Sequence, residues 1–193
     1  LPSIVGRFRK EHPEISLQLN IYTTDILVQN VLNGKLDFGI VTSMLESERL
    51  VYEKIRKEKV IIIAAPNTHD EKVPLSKEEL AEKPFICIPK EMHGRINYDT
   101  LLAEHGIIRK NVAMEVGHPE GIKQAVRAGL GLGIMHRFAV ERELKQGALV
   151  EIKVEGVEMY GDIFLVHRPY KNFLPIEEKI INFIKQETAL YAV

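Results

Sequence analysis

The stretch ISLQLNIYTTDILVQNVLNGKLDFGIV, residues 15–41, decides the fold class because its hydrophobic period changes twice. Over 15–21, Ile15, Leu17, Leu19 and Ile21 alternate with Ser16, Gln18 and Asn20, the two-residue period of a strand with one buried face. Thr23, Thr24 and Asp25 then offer a helix N-cap, and Leu27, Val28, Val31 and Leu32 make a helical stripe. Gly34 stands where a C-terminal glycine cap belongs, and 36–41 reads as a second strand. Strand, short helix and strand with tight connections predict a βαβ unit with a right-handed crossover.

Upstream, Leu1, Ile4, Val5 and Phe8 form one apolar stripe of a helix that should stop before Pro13. The sequence opens inside that helix, on apolar residues with no cap, which reads either as a piece of a longer protein or as a trimmed terminus. Downstream, 60–65 is an unbroken apolar run ending at Pro66, the pattern of a central strand buried on both faces. A polar stretch over 67–76 follows, closed by a Ser76/Glu79 capping box. A second α/β cycle then begins, with strands expected at 85–88, 111–116 and 132–135 and helices at 95–105 and 119–128. A helix over 138–146, strands at 149–154 and 163–166, and a last helix from Pro175 complete the pattern. Two alternating β/α stretches joined through a polar segment predict an α/β protein of two lobes, each a small open sheet flanked by helices.

Composition narrows the function. The 193 residues carry 26 Lys+Arg against 27 Asp+Glu, a formal charge of -1, with the basic residues spread along the chain. Such a balance provides no electrostatic footprint for gripping nucleic acid by its phosphates. No apolar run approaches the ~18 residues of a membrane span, and the opening residues lack the apolar stretch of a signal peptide. The single cysteine, Cys87, excludes an internal disulfide framework and fits a reducing compartment, with the cytoplasm as the expected location.

In open parallel sheets, ligands bind beyond the carboxyl ends of the strands. Thr23 and Thr24 follow the first strand and start its helix, and Thr42 and Ser43 follow the second. Hydroxyls beside the unpaired N–H groups of a helix start suit a carboxylate or another oxyanion, although either threonine could simply cap the helix. In the second half, the loop of Pro89, Lys90, Glu91, Met92, His93, Gly94 and Arg95 follows a strand. Gly117, His118, Pro119, Glu120 and Gly121 join another strand to a helix. Lys90, His93, Arg95 and His118 could pair with an anion, and Met92 could pack on its carbon skeleton. His136 and Arg137, just past the 132–135 strand, belong to the same set. The glycines at 129, 131 and 133 follow a helix and precede a strand, the reverse of a nucleotide fingerprint, so Gly129 reads as a helix cap and Gly131 and Gly133 as close packing. The seven histidines are scattered, no nucleophile elbow or P-loop appears, and Cys87 within an apolar strand reads as a buried structural thiol. The residues therefore nominate no catalytic group, no metal site and no cofactor.

Four segments in order resemble the effector-binding domain of LysR-type transcriptional regulators: LPSIVGRFRKEHPEISLQL at 1–19, VLNGKLDFGIV at 31–41, AVRAGLGLGIMH at 125–136 and ELKQGALVEI at 143–152. That resemblance implies the type 2 periplasmic-binding-protein fold, two lobes joined by a two-strand hinge with a small-molecule cleft between them. Lobe I would comprise 1–65 plus 166–193 and lobe II 66–165, with the N-terminal winged helix-turn-helix of such proteins absent from this chain. By position, effector contacts would come from Thr23, Thr24, Thr42 and Ser43, from Pro89 to His93, and from Gly117 to Glu120. Family members that hold inorganic oxyanions place hydroxyls where this chain has Ala65 and Gly117, so a small organic acid is the expected effector. The resemblance also implies a homodimer or homotetramer that touches DNA only through the missing domain. A transport-type solute receptor is the alternative, followed by an enzyme on the same fold.

Overall fold

The computed structural model describes residues 2–68 and 73–189; Leu1 of the opening stripe, part of the polar 67–76 stretch, and residues 190–193 lie outside the described residues. The chain divides into two compact units, 1–57 with 162–193 and 58–161, so it passes between them twice. The junctions expected at 65 and 166 fall in the second and the first unit respectively.

In unit 1, α1 (Pro2–Glu11) ends before Pro13 as predicted. α2 (Thr24–Leu32) buries Leu27, Val28 and Val31, and β1 (Phe38–Val41) pairs antiparallel with β7 (Met159–His167), matching Phe38 to His167 and Val41 to Phe164. β2 (Val51–Ala64) is the next strand beyond β7. The expected strand at 15–21 does not form: those residues are irregular, so the first βαβ unit is not closed. Their alternation is genuine, with Ile15 and Leu17 packed on the core, but among the described residues no neighbouring strand supplies a ladder.

The last helix, α7 (Pro175–Ala189), sets Ile180 and Ile184 against Ile4 and Phe8 of α1. Lys185 anchors it further by donating to Glu53 of β2 at 2.7 Å, while His167 Nε2 lies 3.1 Å from the other carboxylate oxygen. The Lys185 hydrogen bond, helped by His167, holds the Glu53 carboxyl below its ordinary value. A carboxylate depressed by folding stabilises at pH above its unfolded value and loses that contribution as pH falls. The Glu53→Gln variant should accordingly unfold at lower urea than the parent at neutral pH. That difference should shrink as pH falls through the lowered Glu53 range, which paired urea titrations would reveal.

Unit 2 is built on the second half of β2. Residues 60–65 are buried throughout, and the strand has neighbours on both edges, all antiparallel. β5 (Gly133–His136) aligns Val60 with His136, and β6 (Val150–Ile152) aligns Ile62 with Ile152. Val60, Ile62 and Ala64 face one cluster with Leu80, Phe85, Leu102, Ile107 and Ile134. Ile61 and Ile63 face another, with Ile86, Ile122, Val126, Met135 and Leu149. The period of two thus feeds two cores from one strand. Around them lie α3 (Lys77–Glu82), with the predicted Ser76/Glu79 capping box, and β3 (Phe85–Cys87) in parallel pairing with β4 (Val112–Glu115). α4 (His93–Glu104), α5 (Pro119–Arg127) and α6 (Glu141–Lys145) complete the unit. The helix expected over 138–146 is shorter because a 3-10 turn occupies Arg137–Ala139.

The glycine-rich junction behaves as its order implied. Gly129 adopts φ +76 just after α5. A Cβ on Gly131 would stand 2.6 Å from the Pro84 carbonyl oxygen, a backbone atom already accepting from Leu132 N–H at 2.8 Å. Neither side can yield without breaking the β3–β5 bridge at Leu132. Gly131→Ala should cost about 1–3 kcal/mol, read as a shift of the urea midpoint.

Candidate functional site

Two loops of unit 1 that are far apart in sequence meet at the start of α2. Ser43, 6% exposed, follows β1 and donates through Oγ to Thr24 Oγ1 at 3.4 Å. Thr23 is the N-cap residue, in extended conformation, and its carbonyl accepts from Leu27 N–H at 2.9 Å. Its side chain, however, makes no cap bond, and its Oγ1 is buried without a hydrogen-bond partner. Capping therefore does not explain this hydroxyl. A buried hydroxyl left unpaired costs on the order of 1–3 kcal/mol, so a group arriving there with an acceptor or donor recovers that energy. Thr42 is half-buried beside Ser43. Helix N–H groups with a positive dipole end beside these hydroxyls suit a negatively charged group, with the Asp25 carboxylate in the same first turn opposing it.

The unit 2 candidates have varied surroundings. Pro89 and Met92 are half-buried, Lys90 is exposed, and Met92 is the N-cap residue of α4 without a side-chain cap bond. His93, the first residue of α4, is half-buried. Arg95 is committed elsewhere: it holds Asp99 at 2.7 Å, the Ile88 carbonyl at 3.0 Å and Glu115 at 3.1 Å. Gly117 is exposed, and the exposed His118 accepts from Glu120 N–H through Nδ1 at 3.2 Å, so it caps α5 just ahead of Pro119. Glu120 bonds Lys123 at 2.7 Å and Gln124 at 2.9 Å, and the Lys123 bond draws its carboxyl below the usual range.

His136 ends β5 in the interior, 2% exposed. Its Nδ1 lies 3.0 Å from the Tyr98 hydroxyl, and burial pushes the Tyr98 phenol up, so that hydroxyl stays protonated and donates. On the other side of the ring, a Cβ on Gly161 would come within 2.6 Å of His136 Nε2. Sequence periodicity could not have revealed this pair, because Tyr98 and His136 lie 38 positions apart.

Cys87 is 2% exposed, and burial pushes its thiol up against the opposing pull of Arg109, whose Nη1 stands 3.0 Å from Sγ. It is a structural thiol. Among the described residues no three His, Cys, Asp or Glu side chains converge as metal ligands, and no helix is long and apolar enough to cross a membrane. Cavities within single units lie elsewhere. One of about 290 Å3 is bounded by Glu53, Phe173, Glu178 and Lys185, and one of about 190 Å3 by Thr68, Lys83, Pro84 and Gly131. Neither touches the Thr23, Thr24 and Ser43 hydroxyls.

Comparison with known proteins agrees with this geometry. The family model described as LysR substrate binding domain matches residues 1–189. The HTH-type transcriptional regulator YeiE of Escherichia coli K12, itself named as uncharacterized, is 28% identical over 89% of this chain and 58% of its own length. A probable RuBisCO transcriptional regulator of Guillardia theta is 30% identical over 88% of this chain and 56% of its own. The chain thus spans a little over half the length of these curated relatives. Among solved structures, the regulatory domain of Synechocystis PCC6803 CcmR in complex with 2-PG superposes with TM-score 0.84 at 21% identity, covering 97% of this chain and 90% of that one. The effector-binding domain of QuiR in complex with shikimate gives 0.82 at 17%, covering 100% and 91%. The fold is accordingly that of LysR effector-binding domains, the type 2 periplasmic-binding-protein class.

Proposed function

The chain belongs to the LysR substrate-binding-domain family, and on that premise we propose that it senses a small anionic metabolite for a cytoplasmic LysR-type transcriptional regulator. The observation that carries this reading is the hydroxyl cluster at the α2 N-terminus, above all the unpaired Thr23 Oγ1 beside the Ser43–Thr24 bond. Thr23, Thr24, Thr42 and Ser43 receive the anion. Pro89, Lys90, Met92, His93, Gly117, His118, Glu120 and His136 enter as further candidate contacts, with the exposed Lys90 as the cation most open to a ligand. An organic acid is favoured over an inorganic oxyanion because Ala65 and Gly117 bring no hydroxyl of their own, and because shikimate, a carboxylate, is held by a protein of the same fold.

Binding biases the chain toward one arrangement, and a ligand does so only by its differential affinity, typically ~1–3 kcal/mol. In the full-length regulator that bias reaches a DNA-binding segment beyond this chain, and the protein acts as a homo-oligomer. Support for assembly comes from β4, whose Val112 and Met114 are 39% and 42% exposed on a strand bonded only to β3 among the described residues. The relatives reported above are named as regulators, which favours this reading over a transport receptor or an enzyme. Calorimetric titration of the chain with a panel of organic acids, phosphorylated acids and inorganic anions tests it. At least one organic acid should bind with Kd below about 1 mM. Failure of a folded chain to bind any of them defeats the reading.

A further inference from the structure

Asn33 is the one asparagine in the chain that glycine follows. That pair is the most prone to deamidation, because Gly34 has no side chain to hinder its backbone nitrogen from attacking the Asn33 side-chain amide carbon. Both residues are exposed, so water and base reach them. Their conformation nevertheless opposes the reaction. Asn33 is the C-cap residue of α2, at φ -83 and ψ 2, and Gly34 follows at φ +71. Closing the five-membered ring requires the Asn33 Cβ to eclipse the Gly34 nitrogen about the Cα–C bond. On a tetrahedral Cα that arrangement is about a third of a turn away from the observed ψ.

Such a rotation cannot stay local. Gly34 N–H donates to the Val31 carbonyl at 3.1 Å, and the N–H groups of Lys35 and Leu36 donate to the Asn30 carbonyl at 2.9 and 3.2 Å. Arg168, just past β7, donates through Nη1 to the Val31 carbonyl and, at 3.3 Å, to the Leu36 carbonyl. One guanidinium thus joins the last turn of α2 to the chain that leaves it, and satisfies a carbonyl that a helix end otherwise leaves open. Turning ψ of Asn33 swings 34–36 away from α2 and breaks these bonds together.

We propose that Asn33 and Gly34 form a deamidation site gated by the C-terminal cap of α2, closed while Arg168 spans Val31 and Leu36 and reactive when that cap opens. In the open state the Gly34 nitrogen loses its proton to base and bonds to Asn33 Cγ, and the side-chain amide leaves as ammonia. Water then adds to either carbonyl of the succinimide and opens it to isoaspartate or aspartate. Each product sets a carboxylate at the C-terminal end of a helix, where the dipole opposes it. Arg168 is close by, its Nη1 3.5 Å from where a Gly34 Cβ would stand. A charge-assisted bond to the new carboxylate competes with two neutral carbonyls for that guanidinium, so the modification loosens the cap that delayed it.

Peptide mapping by mass spectrometry tests the site, with the chain held in warm, mildly alkaline buffer with and without denaturing urea. The peptide containing Asn33 should gain about 1 Da, with isoaspartate revealed by enzymatic methylation, at least about tenfold faster in urea than in the folded chain. Arg168→Gln, shown to be folded by circular dichroism, should deamidate about tenfold faster than the folded parent. In the deamidated chain, separated by its added charge, the amides of Lys35 and Leu36 should exchange about tenfold faster than in the parent. No gain at Asn33 in urea overturns the site. Equal rates with and without urea overturn the gate, as does a folded Arg168→Gln chain that reacts no faster than the parent; the first comparison needs no variant and stands if Arg168→Gln fails to fold. Unchanged exchange at 35 and 36 in the product overturns the loosening of the cap.

Discussion

Replacing Phe85 by alanine is expected to remove about 3–5 kcal/mol of stability, a large part of the 5–15 kcal/mol that holds a typical domain folded. Phe85 is fully buried in the cluster that β2 builds with Val60, Ile62 and Ala64. Its backbone N–H donates to the Asn111 carbonyl at 3.0 Å, so the residue sits where β3 meets β4. The Arg109 guanidinium lies 5.3 Å from the ring centroid, with its side chain only 2% exposed. Truncation therefore opens a cavity beneath a buried cation as well as losing apolar contact. Neither Asp99, which pairs with Arg109, nor Cys87 Sγ can follow the void, since each is held by its own helix or strand. Urea denaturation gives the measurement, with Phe85→Leu as a volume-sparing control expected to cost less than about 1.5 kcal/mol. A Phe85→Ala loss below about 1 kcal/mol would mean that the β3 face of unit 2 is not its core.

What could be read from sequence alone depended on how local each cause was. The Ser76/Glu79 capping box, the end of α1 before Pro13 and the Gly129 cap are set by neighbouring residues, and each was legible. The buried run at 60–65 was legible too, but the first half of β2, VYEKIRKEK, was not: Val51 to Lys59 are mostly charged, none is buried, and their exposure follows no period of two. The 15–21 strand failed for the opposite reason. Its periodicity is intact, but a strand also needs a hydrogen-bonded neighbour, and no local pattern supplies one. Thr23, Thr24 and Ser43 could be nominated from sequence as hydroxyls near a helix start, although no strand forms ahead of Thr23; the commitment of Arg95 to Asp99 and Glu115 and the Tyr98–His136 pair arise from contacts between distant elements. Charge and position nominate a residue for ligand binding; only tertiary partners show that it is already engaged.

That distinction makes Thr23→Val the most informative substitution. Valine keeps the shape and the β-branch and exchanges only the hydroxyl for a methyl group. Because Thr23 Oγ1 is buried without a partner and makes no cap bond, folding draws no hydrogen-bond energy from it, and its removal should leave the urea midpoint unchanged or slightly raised. If the hydroxyl bonds the effector, the same change removes one buried hydrogen bond from the complex. Affinity for the bound organic acid should then fall about 10- to 100-fold, equivalent to ~1.4–2.8 kcal/mol. A capping residue would show the reverse, a loss of about 1 kcal/mol in stability with affinity intact. Ser43→Ala separates the two effects further. Ser43 is buried and donates to Thr24 at 3.4 Å, so its loss should lower stability as well as affinity. Thermal unfolding and calorimetric titration of both variants, run side by side, distinguish an oxygen held for the ligand from one held for the fold. An unchanged Kd in Thr23→Val removes that hydroxyl from the site.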